Sequence, residues 1–235
     1  MTSDHVEGMW DASVGVATGD ANVRLTISVG NLTSGAERLR RSVLKRVIDI
    51  VGAMLGLVLL APGLILVSLL VVMESPGPFL FTQRRTGFGG VPFVILKYRT
   101  MRVREDGADV TQAKRGDSRV TNIGALLRRS SVDELPQLWN VLKGEMSLVG
   151  PRPHALAHDA YYGKVIPEYV QRFRTKPGLT GLAQVEGFRG ETAQDSEMAD
   201  RVTKDLEYIR DWSLLLDIKI ILRTILIFAF HPAAY

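Results

Sequence analysis

The apolar run from Val47 to Met73 organises the chain. Asp49 is its only charge, and Ile50 to Met73 are 24 consecutive uncharged residues. As a straight helix those residues would reach about 36 Å, enough to cross a bilayer. Pro62, flanked by Ala61 and Gly63, sits near the middle. It predicts a break or bend, because proline has no N–H to donate and its ring crowds the preceding turn. Each arm is then about 12 residues, or roughly 18 Å, the depth of about one leaflet. Basic residues flank both ends: Arg38, Arg40, Arg41, Lys45 and Arg46 before, and Arg84, Arg85, Lys97, Arg99 and Arg102 after. Positive residues mark the cytoplasmic side, so both ends are most simply placed on one face. The expectation is a re-entrant helix-break-helix over residues 43–74, with its break at Pro62. A kinked spanning helix is the open alternative.

Beyond the block, Glu74-Ser75-Pro76-Gly77-Pro78 reads as a turn. Phe79–Thr82 and Val91–Tyr98 read as short strands around a Gly- and Arg-rich loop, Gln83–Gly90, which predicts a β-hairpin. The loop arginines fit headgroup contact and a substrate role equally. Residues 103–118 are charged and aperiodic, a loop or short helix. Thr121–Leu127 predicts a short amphipathic helix, residues 166–176 a basic helix or turn, and residues 196–212 a charged helix. Ser213–Phe230 is apolar but carries Asp217, Lys219 and Arg223, the last two one turn apart on one face. That pattern reads as an interfacial amphipathic helix, with ordinary core packing the alternative. Residues 1–42 are polar and predict a weakly ordered tail, despite a strand-like alternation over Val23–Val29. Met1–Asp20 has no apolar core of a leader. The fold class is α+β, predominantly α. A small cytoplasmic catalytic domain over residues 75–235, with interfacial helices and a short β-hairpin, follows the membrane element.

Composition sharpens this picture. Of 235 residues, 46% are hydrophobic and mean hydropathy is +0.09. The apolar residues concentrate in two blocks, which points to a membrane-associated protein with a polar domain. Net charge is +4. The cations cluster beside the first apolar block, which favours anionic lipid headgroups over nucleic acid. The chain has no cysteine, which excludes disulfides, thiolate catalysis and Cys-ligated metal.

The candidate chemistry lies in Ser131-Val132-Asp133-Glu134-Leu135-Pro136, behind Arg128 and Arg129 and ahead of an apolar helical run. The preferred reading makes Asp133 an N-cap, with Pro136 at the third helical position, where a missing N–H costs nothing. The alternative makes Ser131 the cap and Glu134 the partner of a capping box. In the preferred reading two carboxylates, two guanidinium groups and a helix N-terminus converge, which suits phosphate and a divalent metal. Pro151-Arg152-Pro153 fixes the backbone on both sides of one guanidinium group, pre-positioned for an anion or simply a turn. Arg189 follows Gly187-Phe188 and precedes Gly190, so its backbone can approach a ligand closely. No Ser-His-Asp arrangement competes, and His5, His154, His158 and His231 are scattered. A carboxylate can accept a phosphoryl group as a nucleophile when cations neutralise the phosphate.

These motifs resemble the bacterial sugar transferase family, the monotopic phosphoglycosyl transferases. The matching stretches are Lys45–Asp49, Gln83–Gly87 with Pro92-Phe93, Lys97–Met101, Leu127–Leu142, Lys143–Pro153 and Lys176–Gly190. The resemblance implies transfer of a sugar-1-phosphate from a nucleotide sugar to polyprenyl (undecaprenyl) phosphate. This initiates exopolysaccharide or related glycan assembly at the cytoplasmic face of the bacterial inner membrane. It implies Asp133 as the nucleophile, Glu134 as a second catalytic carboxylate supporting Mg²⁺, and Arg128, Arg152 and Arg189 as phosphate-binding residues. It places the bend of the re-entrant helix at Pro62. Pro151–Ala155 with His158 resembles members that use UDP-glucose or UDP-galactose. Phe188 and Glu186 depart from the family's pattern. The competing function is a catalytically inactive membrane adaptor of a glycan-assembly complex.

Overall fold

The computed structural model describes residues 29–102, 117–190 and 194–230. The strand-like residues 23–28 and the charged residues 103–116 lie outside them. The first described element, α1 (Val29–Arg41), falls within the stretch expected to be a tail. Leu32, Ala36 and Leu39 repeat at helical spacing and are buried. They join the core cluster of Val202, Leu206 and Ile209 on α7 (Asp195–Asp211). Arg174 also donates to the Thr33 hydroxyl at 2.8 Å. The segment is polar as a whole, but α7 supplies the surface that these three apolar residues need.

Ser42 then caps α2 (Val43–Glu74), its hydroxyl accepting from the Lys45 N–H at 3.2 Å. The interruption expected at Pro62 is absent: helix α2 runs through the proline for 32 residues. That is about 48 Å at the helical rise, and it is the one helix among the described residues long and apolar enough to cross a membrane. Its first arm packs through Ala53 and Leu57 against Ile95, Leu138 and Met146. Its second packs through Leu64, Val67 and Val71 against Tyr98 and Leu127. Between the arms Val58, Leu59 and Pro62 are exposed. Val51, Leu55, Leu66, Leu69 and Met73 also leave an apolar face uncovered. A polar domain therefore grips both ends of the helix and leaves its middle free.

The expected hairpin forms from β1 (Leu80–Thr86) and β2 (Pro92–Tyr98), registered from Leu80 opposite Tyr98 to Thr86 opposite Pro92. Pairing extends through Arg84 and Arg85, which the sequence reading placed in the loop. Helix α3 (Asn122–Ser130), capped by the Thr121 hydroxyl, leads to a short 3-10 turn and α4 (Gln137–Lys143). A second, parallel pair joins β3 (Ser147–Val149) to β4 (Gly178–Thr180). Between them lie α5 (Leu156–Val165) and a 3-10 segment, Tyr169–Arg174. Gly150 and Gly178 cross so closely that a Cβ on Gly178 would lie 2.1 Å from the Gly150 nitrogen. Only glycine permits that crossing, which aims the Pro151-Arg152-Pro153 turn. The chain closes with α6 (Leu182–Val185), α7 and α8 (Leu214–Phe230). On α8, Asp217 and Ile220 face the core, while Leu215, Ile218, Leu222, Ile225 and Leu226 are exposed.

Candidate active site

The site begins where α3 ends. Ser131 takes a left-handed conformation (φ 58°) that stops the helix and turns the chain into the 3-10 turn Val132–Glu134. Such a conformation is uncommon for a residue with a Cβ and costs roughly 1 kcal/mol or more. Asp133 is therefore inside a 3-10 turn and is not the N-cap. The turn is held by Glu134 N to Ser131 O (3.2 Å) and Leu135 N to Val132 O (3.2 Å). Pro136 occupies the N-cap of α4, where its missing N–H is again harmless. The tighter 3-10 turn absorbs the residues that a direct helix start would have used.

Glu134 is buried and held from two sides. Lys97 on β2 donates to Oε1 at 2.7 Å, and Arg152 donates to both carboxylate oxygens, at 2.5 and 2.9 Å. Burial opposes its charge, but Arg152 and Lys97 outweigh it and hold the carboxyl well below its usual range. Burial in turn lowers the Lys97 pKa, with Glu134 opposing that change. Asp133, equally buried, has no hydrogen bond or ion pair to its carboxylate among the described residues. Burial, and then the adjacent Glu134 charge, push its pKa up to about 6 against the pull of Lys97, Arg128 and Arg152. Two neighbouring carboxylates are thus driven apart in acidity, a pattern that marks acid, base and nucleophile sites.

The sequence-predicted residues mostly gather here. Arg128, on the last turn of α3, is held by the Thr100 hydroxyl (2.9 Å) and Met101 sulfur (3.0 Å). It acts on Asp133 through space. Arg189 donates to the Ser131 hydroxyl and lies 4.7 Å over the Phe228 ring. Pro62 is not at this cluster; it sits on the exposed middle of α2. Three contributors escaped the sequence reading. Lys97 looked like a membrane-flanking cation, although strand alternation puts it on the face opposite Tyr98. Asn140, fully buried, accepts from Leu96 N (3.0 Å) and donates to Val94 O (2.7 Å), which fixes α4 against β2 and so Glu134 against Lys97. Arg172 donates to the Arg152 carbonyl (2.7 Å) while paired with Asp205 (2.8 Å). No sequence pattern joins those residues.

No cluster of three or more metal-ligating side chains exists among the described residues. Glu134 uses three of its roughly four lone-pair directions on Lys97 and Arg152. One direction and the unpartnered Asp133 carboxylate remain. That suits Mg²⁺, which takes one or two carboxylates and completes its shell with water and substrate phosphates.

The profile of the bacterial sugar transferase family matches residues 40–231. The chain belongs to that family. By this membership the transferase is an enzyme of the phosphoglycosyl transferase class. It is 60% identical to a UDP-glucose:undecaprenyl-phosphate glucose-1-phosphate transferase of Caulobacter vibrioides, over 77% of this chain and 68% of that one. A protein of the same name from Escherichia coli is 50% identical over 86% of this chain, which spans only 43% of it. An exopolysaccharide production protein of Rhizobium leguminosarum is 46% identical over 78% of this chain and 94% of its own length.

Proposed function

We propose that the transferase moves glucose-1-phosphate from UDP-glucose to undecaprenyl phosphate, initiating exopolysaccharide assembly at the cytoplasmic face of the inner membrane. The observation that carries this is the Asp133 carboxylate: buried, without a hydrogen bond among the described residues, and under the positive charge of Lys97, Arg128 and Arg152. The two UDP-glucose relatives supply the donor sugar and the acceptor.

In the first step an Asp133 oxygen attacks the β-phosphorus of UDP-glucose. The bond from that phosphorus to the bridging oxygen breaks, and its electron pair leaves with UMP. In the second step a phosphate oxygen of undecaprenyl phosphate attacks the same phosphorus. The bond to Asp133 breaks and the carboxylate is restored. Arg128, Arg152 and Arg189 neutralise the phosphates, and Lys97 shares that work while it holds Glu134 in place. Glu134 and Asp133 would hold Mg²⁺ with the diphosphate, where the ion supplies charge neutralisation of the leaving UMP. Positioning and charge provide most of the rate in such transfers.

The membrane reading is re-entrant. One domain contacts α2 from Lys45 to Glu74, which supports a placement with both ends of the helix on one face of the membrane. The free middle around Pro62 would enter the leaflet. Measuring UMP release from a set of UDP-sugars in membranes containing undecaprenyl phosphate and Mg²⁺ tests the donor. UDP-glucose should be preferred. A preference for an N-acetylhexosamine donor would overturn the donor reading, and no release from any donor would overturn the reaction. An inactive adaptor has no observation here in its favour.

A further inference from the structure

We infer that Tyr98 and Arg99 are positioning residues that set the height of the second arm of α2, and with it the height at which the lipid acceptor meets Asp133. This rests on the two-step function proposed above.

Four consecutive residues at and just past the end of β2 join the catalytic site to the membrane helix, the outer two bonded to the site and the inner two to the helix. Lys97 binds Glu134. Tyr98 donates its hydroxyl to the Leu64 carbonyl, two residues past Pro62, at 2.7 Å. The Ser68 hydroxyl lies within reach of the same carbonyl (2.8 Å) and of the Tyr98 hydroxyl (3.3 Å). Arg99 spreads one buried guanidinium group over three carbonyls at the end of the arm: Val71 (3.2 Å), Ser75 (2.5 Å) and Pro76 (2.7 Å). The Val71 carbonyl also accepts from the Ser75 N–H at 3.4 Å, and the Ser75 and Pro76 carbonyls lie just past the helix end. Gly77 leaves room for the group, since a Cβ there would lie 2.3 Å from an Arg99 nitrogen. Thr100 returns to the site and holds Arg128.

The arm is stitched to the site a second time. The Glu74 carboxylate accepts from the Ile123 N–H at 3.0 Å, in the first turn of the helix that carries Arg128. Val71, Tyr98 and Leu127 form one buried cluster, with Leu64, Val67 and Val132 packed on it. The arm from Leu64 to Glu74 therefore cannot slide or tilt without moving Lys97, Arg128 or the residue preceding Asp133.

The two substrates feel this differently. A nucleotide sugar arrives from water, and its encounter with Asp133 does not depend on depth. A polyprenyl phosphate keeps its chain in the bilayer, so its phosphate is offered at one height. The arm fixes where that height falls on the protein. Weakening the struts should slow the second step and spare the first.

The test uses the full chain in lipid nanodiscs, with Tyr98→Phe and Arg99→Lys. Tyr98→Phe keeps the ring in its cluster and removes only the hydroxyl. Arg99→Lys keeps the charge but cannot bridge three carbonyls. Formation of the sugar-phosphate adduct from UDP-glucose alone should stay within about twofold of wild type in Tyr98→Phe. Transfer to undecaprenyl phosphate should fall about tenfold, the scale of one lost hydrogen bond, and further in Arg99→Lys. In detergent, with a short-chain polyprenyl phosphate, the transfer defect should largely disappear, because no bilayer then fixes the acceptor's height. Equal losses in both steps, equal losses in bilayer and detergent, or no loss in either variant would overturn the inference. The bilayer-to-detergent ratio is also read on overall turnover, so it stands apart from the adduct. A wild type that turns over with no adduct would instead overturn the covalent step.

Discussion

The domain holds two groups of buried charge. In one, Lys45 meets Asp217 at 2.8 Å and the Val149 carbonyl at 3.2 Å. Asp217 also accepts from the Tyr208 hydroxyl (2.8 Å) and the Trp212 indole (3.2 Å). Asp49 accepts from the Ser147 hydroxyl (3.0 Å) and the Leu148 N–H (2.9 Å). Each charge there has partners. In the other, Glu134 is equally well held, but Asp133 beside it is not. A buried charge is costly unless paired and hydrogen-bonded. The first group meets that demand and fastens α2, β3, α7 and α8 together. In the second, the Asp133 carboxylate has no hydrogen bond among the described residues, and such a carboxylate among cations is a place for a phosphate. Between these two groups, the hydrogen bonds of the carboxylates distinguish Asp49 and Asp217 from Asp133 more clearly than burial does.

That contrast breaks most sharply at Asp133. Asp133→Asn should lower turnover by about 10⁴-fold or more, as loss of a covalent nucleophile does. Its melting temperature should hold or rise, because the substitution removes a buried ionised group. Asp217→Ala should do the reverse. It leaves the buried Lys45 with only the more distant Asp49 carboxylate, 3.9 Å away, and should cost about 3 kcal/mol of stability by denaturant titration. Turnover per folded molecule should change little. A matching pair of losses, activity at Asp217 or stability at Asp133, would erase the distinction.

Smaller effects sharpen it. Arg152→Lys loses the two-pronged grip on Glu134 and should lower turnover about 10- to 100-fold, with little change in melting temperature. The pH dependence follows from Asp133, whose carboxyl moves from 3.8 to about 6 in the fold. Between roughly pH 4 and 6 the folded chain keeps the proton that the unfolded chain has released. That proton favours the fold at low pH, and its contribution is lost as pH rises through about 6. Adduct formation runs the other way in the proposed mechanism, where only the carboxylate attacks. It should rise with a midpoint near pH 6, while wild type loses stability relative to Asp133→Asn over the same window. A flat profile across that range would remove the shifted carboxyl from the rate. Tyr208→Phe, at the edge of the scaffold group, should cost only about 1–2 kcal/mol of stability and no activity.

The sequence made the apolar block, the hairpin and the Asp133-Glu134 pair legible, because each is a local pattern of spacing or turn chemistry. Arg128, Arg152 and Arg189 were legible through the motifs around them. Lys97 was visible as a cation but not as a partner, because its meaning depends on α4 lying against β2. Asn140 and Arg172 were invisible for the same reason: their partners lie far away in the chain. Residues 29–41 looked too polar to order, since Leu32, Ala36 and Leu39 matter only once α7 faces them. The left-handed Ser131 had no signal at all, as serine does not announce a positive φ.

Trapping the intermediate tests a nucleophilic Asp133 most directly. The chain in membranes would be given UDP-glucose and Mg²⁺ without acceptor, quenched, digested and weighed. The expected result is a hexose-phosphate mass on the peptide carrying Asp133, with about one UMP released per chain. The mass should vanish when undecaprenyl phosphate is added and be absent in Asp133→Asn. UMP release that strictly requires the acceptor, with no modified peptide, would contradict it.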